Sequence, residues 1–362
     1  MVKSLYIHIP FCDQICAYCD FTKVFSSSFS HKEYLKKLIA EIDSLVIKDD
    51  SLSTIYIGGG TPSTLTSEEL DFLLSYLHQH FPNVDEFSVE ANPESLTREK
   101  IKLMHSYGVN RISLGAQTTN ELILKQLNRN HTTNDIKRCI KDLKDCGIEN
   151  YNLDFIYGIP GMTMGDLDRD IDFALKMNTK HLSFYSLQIE EGTLLYNQGM
   201  KPVDEEFMRR MYDFIIEKLS KHGYQRYEIS NFSLPGYESR HNLTYWHDEQ
   251  YYAAGVSASG YIGNLRYTNT KSLTHYLKGE YNRESETIDS KTEEFEFLML
   301  NLRLTKGFSL SSFKKRFHKD FKTEYKEEIE KVQDYVEIVD DHFRIRKDYL
   351  YTMDNILLNL LK

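Results

Sequence analysis

Leu5-Tyr-Ile-His-Ile9-Pro-Phe-Cys12-Asp-Gln-Ile-Cys16-Ala-Tyr-Cys19 decides how the chain is to be read. A short β-branched and aromatic run stops at Pro10, and three cysteines follow in a C-x3-C-x2-C loop. Runs of the same kind recur at 54–57, 87–91, 111–115, 152–157 and 182–187. Helical periodicity fills the gaps at 31–46, 67–80, 97–107, 120–127, 133–146 and 165–177, with Ser, Thr or Asn start signals and Gly108 and Gly147 as stops. Six strands alternating with helices predict an α/β fold on a parallel sheet, because parallel neighbours need crossovers. Ligands of such sheets gather at the carboxyl ends of the strands. The cysteines stand at that end of the first strand.

Beyond this region a helix is expected at 204–222 and a strand at 224–229, after which 233–282 reads as loop-rich. From residue 291 a helix at 293–304, a mixed-charge helical stretch and an alternating segment at 335–346 turning at Asp340-Asp341 predict a smaller winged-helix-like α+β domain. Residues 291–362 carry 14 Lys plus Arg against 14 Asp plus Glu, whereas a DNA reader shows a basic face. The whole chain of 362 residues has a formal net charge of −10, which also argues against a polyanion partner. No stretch approaches the roughly 18 apolar residues of a membrane span. Five cysteines, three of them between 12 and 19, and no signal-like leader point to a reducing compartment, the cytoplasm. Cys139 and Cys146 share a helix face and read as buried free thiols.

Three thiolates in one loop can converge on a metal centre. A structural zinc takes four protein ligands, and His8, Asp13 or Asp20 would have to supply the fourth. A 4Fe–4S cluster with one iron left open needs only the three. Gly58-Gly59-Gly60-Thr61-Pro62 follows the second strand and offers bare backbone to a small zwitterion. Glu90, Gln117, Arg129 and Asp154 lie at or after successive strand ends. Each alone reads as a satisfied polar group, but together they face one mouth. There Glu90 and Asp154 would accept from hydroxyls or an ammonium, and Gln117 and Arg129 would hold a carboxylate.

On these residues the chain resembles the radical S-adenosylmethionine (SAM) enzymes. The resemblance implies a partial (β/α)6 barrel and a 4Fe–4S cluster on Cys12, Cys16 and Cys19. It also implies SAM on the open iron, with Gly59, Gly60, Thr61, Glu90, Gln117, Arg129 and Asp154 as its contacts. Wider stretches resemble one branch of that superfamily: Tyr6-Ile-His-Ile-Pro-Phe-Cys12, Glu90-Ala-Asn-Pro93, Ser113-Leu-Gly-Ala-Gln117, Asp154-Phe-Ile-Tyr-Gly158 and Tyr227-Glu-Ile-Ser-Asn-Phe232. This is the branch of oxygen-independent coproporphyrinogen III oxidases and haem chaperones. Within it, Tyr6 is expected near SAM and Tyr18 against the adenine.

Two features separate the cousins. The oxidases carry a further cysteine two positions after the third cluster cysteine, where this chain has Phe21, and an extension ahead of the cluster. His241-Asn-Leu-Thr-Tyr245-Trp246 resembles the H-N-x-x-Y-W haem motif of the chaperones and holds the only tryptophan. An imidazole can ligate haem iron, and Tyr245 and Trp246 offer flat faces to a porphyrin. The resemblance thus implies a haem chaperone that binds cluster, SAM and haem and delivers haem to acceptors such as membrane respiratory enzymes. It also implies a homodimer and membrane contact through those partners. The expected division is a barrel at 1–232, a loop-rich linker with the haem motif at 233–290, and the C-terminal domain at 291–362. The alternatives are oxidative decarboxylation of coproporphyrinogen III and, from another class, a zinc-stabilised nucleic-acid binder.

Overall fold

Alternation inside each run sets the sheet. In strand β1 (Ser4–Ile9) of the computed structural model, Leu5, Ile7 and Ile9 point outward and are fully buried beneath helices, while Ser4, Tyr6 and His8 point into the lumen. Strands β2 (Thr54–Gly59), β3 (Glu86–Ala91), β4 (Arg111–Gln117), β5 (Asn150–Tyr157) and β6 (His181–Ser186) follow in that order, each parallel to the last. Their outward residues, among them Ile55, Ile57, Val89, Ile112, Leu114, Leu153 and Leu182, form one continuous core. Each such side chain contributes about 1.5–3 kcal/mol by burial. The lumen is polar and aromatic instead. Asn152 illustrates this, since its amide nitrogen lies 2.8 Å from Ser113, 2.7 Å from Asp154 and 2.9 Å from Ser183. The structure describes residues 1–47, 51–281 and 283–360. Asn282 in the loop-rich stretch and the last two residues of the expected C-terminal domain lie outside them.

The six expected helices form at His31–Leu45, Ser67–His80, Arg98–Ser106, Glu121–Gln126, Thr133–Asp145 and Met164–Lys176. Every one starts from a Ser, Thr or Asn side chain that accepts an N–H of the first turn, with full capping boxes at Thr66, Thr132 and Thr163. Cys139 is buried with its thiol 3.5 Å from the Pro93 carbonyl, whereas Cys146 caps its helix and is only half-buried.

The strand expected at 224–229 is shorter than its alternation suggests. Only Gln225–Arg226 is extended; the chain then turns, with the Ser230 N–H held 2.9 Å from the Glu228 carboxylate, and Asn231–Ser233 returns antiparallel to β6. The stretch read as loop-rich carries real structure: a helix at Arg240–Trp246, a strand at Tyr252–Ala254 parallel to β1, and a hairpin at Ser259–Ile262 and Leu265–Thr268. The nine-stranded sheet therefore borrows its first edge from residues 247 positions away from their partners. Glu41, fully buried on the first helix, ties this segment down. It accepts from Gly255 N (2.9 Å), Asn269 (2.7 Å), Tyr276 (2.5 Å) and Arg283 (2.7 Å).

Residues 290–360 build a second, smaller core around Phe297, Phe308, Phe313, Phe321 and Phe343. Its sheet pairs Phe308–Ser309 and Val336–Val339 with His342–Ile345 between them. Asp340 and Asp341 both adopt positive φ, 46° and 67°, as the two-residue hairpin of a wing requires. No helix among the described residues is long and apolar enough to cross a membrane.

Candidate functional site

The cysteine loop is pinned over the carboxyl end of the barrel from several sides. Ala17 N donates to Leu127 O and Leu195 N to Ala17 O, both at 2.9 Å, and Asn128 holds the Ile15 carbonyl at 2.7 Å. Cys12 is buried with Sγ 3.5 Å from the Thr61 hydroxyl, while Cys16 and Cys19 are half-buried. Burial pushes the Cys12 thiol up to about 11 and raises Cys19 as well. Among the described residues no three His, Cys, Asp or Glu side chains are gathered to hold a single metal ion.

Arg129 reaches into this mouth from beyond β4. One guanidinium nitrogen donates to Asn92 Oδ1 (2.9 Å) and Gly115 O (3.0 Å), the other lies 3.5 Å from Cys16 Sγ, and its buried Nε has no partner among the described residues. Burial opposes its charge, but Tyr18, Cys16 and Glu94 outweigh that and keep it firmly protonated. A fixed cation beside a thiol and a donor without an acceptor are what an anionic group in this mouth would use.

The glycines are required by their own packing. Gly59 has φ of 111°, and a Cβ there would come within 2.5 Å of the His8 ring; one on Gly60 would meet the Pro10 and Phe11 backbone at 2.7 and 2.8 Å. The N–H groups of Gly59, Gly60 and Thr61 are spent on Glu90 (3.1 Å), Ile9 O (2.8 Å) and Phe11 O (2.8 Å). The segment therefore offers its surface, not these amides, to a ligand. Glu90 also accepts from Tyr56 at 2.6 Å; burial lifts its carboxyl to about 7 against the pull of that bond. Asp154, held by Ser113 at 2.8 Å, is raised by burial too. Gln117 is buried in the left-handed region at φ 62°, at the bulge where β4 slips against β5. Tyr6 lies 3.0 Å from His8 Nδ1 and stacks on Tyr56, and Tyr18 sits beside Cys16 and Arg129.

The sequence reasoning missed Asn92 and Tyr56. Asn92 clasps both Arg129 and Thr61, the latter at 3.1 Å, and stood legible inside Glu90-Ala-Asn-Pro93. Tyr56 carried no signal beyond its place in a strand.

The helix with His241, Tyr245 and Trp246 lies at the opposite mouth. Its first turn rests on Glu86, the opening residue of β3, which accepts from Ser239 Oγ (3.2 Å), Arg240 N (2.9 Å) and His241 N (3.0 Å). His241 Nδ1 is 2.8 Å from Thr54 Oγ1, at the start of β2, and Nε2 is 2.8 Å from the Tyr245 hydroxyl. The ring is fully buried against Tyr56, and burial alone lowers its pKa to about 3, so it stays neutral. Neither nitrogen is free for a metal in this arrangement. Trp246 is half-buried beneath the Arg303 guanidinium, and its Nε1 lacks a partner among the described residues. Thr54 and Gly59 bound β2, so about 16 Å of strand separates the two mouths.

Comparison with known proteins matches two family descriptions to this architecture. "Radical SAM superfamily" covers residues 6–174 and "HemN C-terminal domain" covers 288–345. The chain is 39% identical over 352 residues to "Heme chaperone HemW" of Lactococcus lactis, covering 95% of this chain and 92% of the relative. It is 40% identical to the protein of that name from Bacillus subtilis (87% of each covered) and 34% identical to that of Escherichia coli (83% and 82% covered). Among solved structures, coproporphyrinogen III oxidase (HemN) from Escherichia coli superposes with a TM-score of 0.86 at 20% identity, over 100% of this chain and 90% of that one. At that identity the likeness shows the fold.

Proposed function

Since the chain belongs to the HemW family of the radical SAM superfamily, we propose that it is a haem chaperone, binding haem and handing it to haem-requiring acceptor proteins. The observation that carries this reading is the similarity to haem chaperones along nearly the whole chain, including the C-terminal domain. Phe21, exposed on the cysteine loop where the oxidase-type relatives are expected to carry a further cysteine, supports it.

Cys12, Cys16 and Cys19 would hold a 4Fe–4S cluster, and the orphaned Arg129 Nε with its Nη against Cys16 fits a negatively charged group there. When bound, the cluster supplies an electron and an open iron for SAM. Arg129 offsets the charge of the thiolates, Asn92 and Gly115 O fix its plane, and Gly59–Thr61 shape the floor of the mouth. Glu90 and Asp154 offer acceptors to hydroxyls or an ammonium, Gln117 and Arg129 donors to a carboxylate, and Tyr6 and Tyr18 aromatic walls. Haem would be held beside the helix that carries His241, Tyr245 and Trp246. Ligation through His241 requires the Tyr245 hydroxyl to leave Nε2 and the ring to leave the lumen. The acceptors would be membrane respiratory enzymes approached from the cytoplasm, with a homodimer as the working form and residues 1–232, 233–290 and 291–362 as its parts.

An anaerobic titration of the iron–sulfur-loaded protein with ferric haem tests the proposal. Saturable one-to-one binding with a defined Soret band, followed by transfer to an apo-acceptor, is the expected result; no saturable binding overturns it. The HemN-like fold favours one rival, decarboxylation of coproporphyrinogen III. Sustained anaerobic turnover of that tetrapyrrole that is lost in Cys16→Ala would replace the chaperone reading.

A further inference from the structure

The helix that carries His241 has a second face. His241 and Tyr245, four residues apart, turn into the barrel lumen; Leu243 and His247, also four apart, turn the other way and line a cleft between the open edge of the barrel and the C-terminal domain. The cavity measures about 930 Å³, near the upper end of the roughly 300–1,000 Å³ typical of small-molecule sites.

We propose that this interdomain cleft is the haem seat, with His247 Nε2 as the axial ligand. The inference rests on the haem-chaperone reading and relocates its ligand from the lumen to the cleft. His247 is exposed, and among the described residues its ring is bonded to Asn301 Oδ1, 3.4 Å from Nδ1. Asn301 Nδ2 is itself committed to the Phe297 carbonyl at 3.0 Å, which turns Oδ1 toward the imidazole. An acceptor at that place selects the tautomer with the proton on Nδ1, leaving the Nε2 lone pair to a metal. His241 presents the contrary arrangement, with both nitrogens bonded at 2.8 Å inside the lumen.

The walls suit the rest of the molecule. Tyr351 and the half-buried Tyr227 offer ring surface, with Phe232 packed in the core behind them. The lining is mixed in charge, but its cations are not equivalent. Arg209 and Arg344 are tied to Asp213 and Glu337 and Arg226 donates to Tyr212 and the Lys347 carbonyl, whereas Lys306 and Lys347 are exposed and have no ion-pair partner among the described residues. Two free ammonium groups in the lining offer partners to the two propionates of a porphyrin. A haem seated here touches both the barrel and the C-terminal domain, so relative movement of the two would open the seat for release.

The test uses full-length protein and two probes, ferric haem and metal-free protoporphyrin IX. Soret absorbance and quenching of Trp246, the sole tryptophan and His247's neighbour, are followed. His247→Ala is expected to shift the ferric Soret band and weaken haem at least tenfold while leaving metal-free porphyrin binding unchanged. Lys306→Glu with Lys347→Glu is expected to weaken both probes by a similar factor, about tenfold. Normal far-UV dichroism of each variant confirms that it is folded. If wild type binds haem but neither the His247 nor the lysine variant alters band or affinity, the cleft assignment is overturned and haem chaperoning stands. If wild type binds neither probe, the chaperone reading falls with it.

Discussion

Glu86→Ala is the sharpest test of how the His241 helix is held. The carboxylate is almost completely buried at the start of β3 and accepts from Ser239 Oγ, Arg240 N and His241 N at 2.9–3.2 Å. Truncation leaves two main-chain donors of a seven-residue helix without their acceptor, His241 N in the interior and Arg240 N half-buried. At about 1–3 kcal/mol for each buried unsatisfied donor, less the relief of no longer burying a charge, the loss comes to about 3 kcal/mol. Glu86→Gln keeps one carbonyl acceptor and should cost about 1–2 kcal/mol. Trp246 ends the same helix, so its emission reports the helix while far-UV dichroism reports the whole chain. With a urea slope of about 2 kcal/mol/M, the Trp246 transition of Glu86→Ala should fall by about 1.5 M. The glutamine variant should lie between it and wild type. A Trp246 midpoint within about 0.2 M of wild type would refute the view that Glu86 anchors the helix.

Three further outcomes follow from the structure. Replacing Cys12, Cys16 or Cys19 by Ala should abolish the brown chromophore of anaerobically reconstituted protein, whereas Cys139→Ala, buried under Pro93, should retain it; iron and sulfide analysis checks both. Burial raises Glu90 from 4.5 to about 7, so the folded chain holds this proton better than the unfolded one. Its stabilising contribution is complete below pH 4.5 and is lost by pH 7, about 3 kcal/mol in all. Glu90→Gln should therefore raise the stability of the ligand-free protein at pH 8 relative to wild type, and by less at pH 5; an equal difference at both pH values would contradict the burial argument. Glu41→Leu strands Arg283, Asn269 and Tyr276 and should cost about 3–5 kcal/mol in urea unfolding, with Glu41→Leu/Arg283→Met recovering part of it.

Much of this protein could be read locally. Capping residues and 3.6-residue periodicity act within a few positions, which is why six helices stood at their expected places. Tyr6, His8, Tyr56 and Glu90 alternate with Ile and Val because each barrel strand faces a polar lumen on one side and helices on the other. The edge strand Tyr252–Ala254 escaped notice because three small or aromatic residues beside Gly255 carry no period, and only pairing with Leu5–Ile7 makes them a strand. The cysteine loop announced itself by spacing, but Arg129 against Cys16 and Asn92 against Arg129 depend on three separate β/α units meeting at one mouth.

The sequence alone determined the β/α alternation, the three-thiol loop at a strand's carboxyl end and the H-N-x-x-Y-W segment, since these are patterns of neighbouring residues. Tertiary structure decided which end of the barrel that segment would occupy and which of its residues would face outward. Glu86, Thr54 and Tyr56 draw His241 into the lumen because a buried helix start needs an acceptor and a buried imidazole needs two partners. With those bonds made, helical geometry turns His247 to the opposite side, toward the cleft beneath the C-terminal domain. The local pattern singles out His241, but which ring nitrogen of either histidine is engaged depends on what the folded chain brings to each.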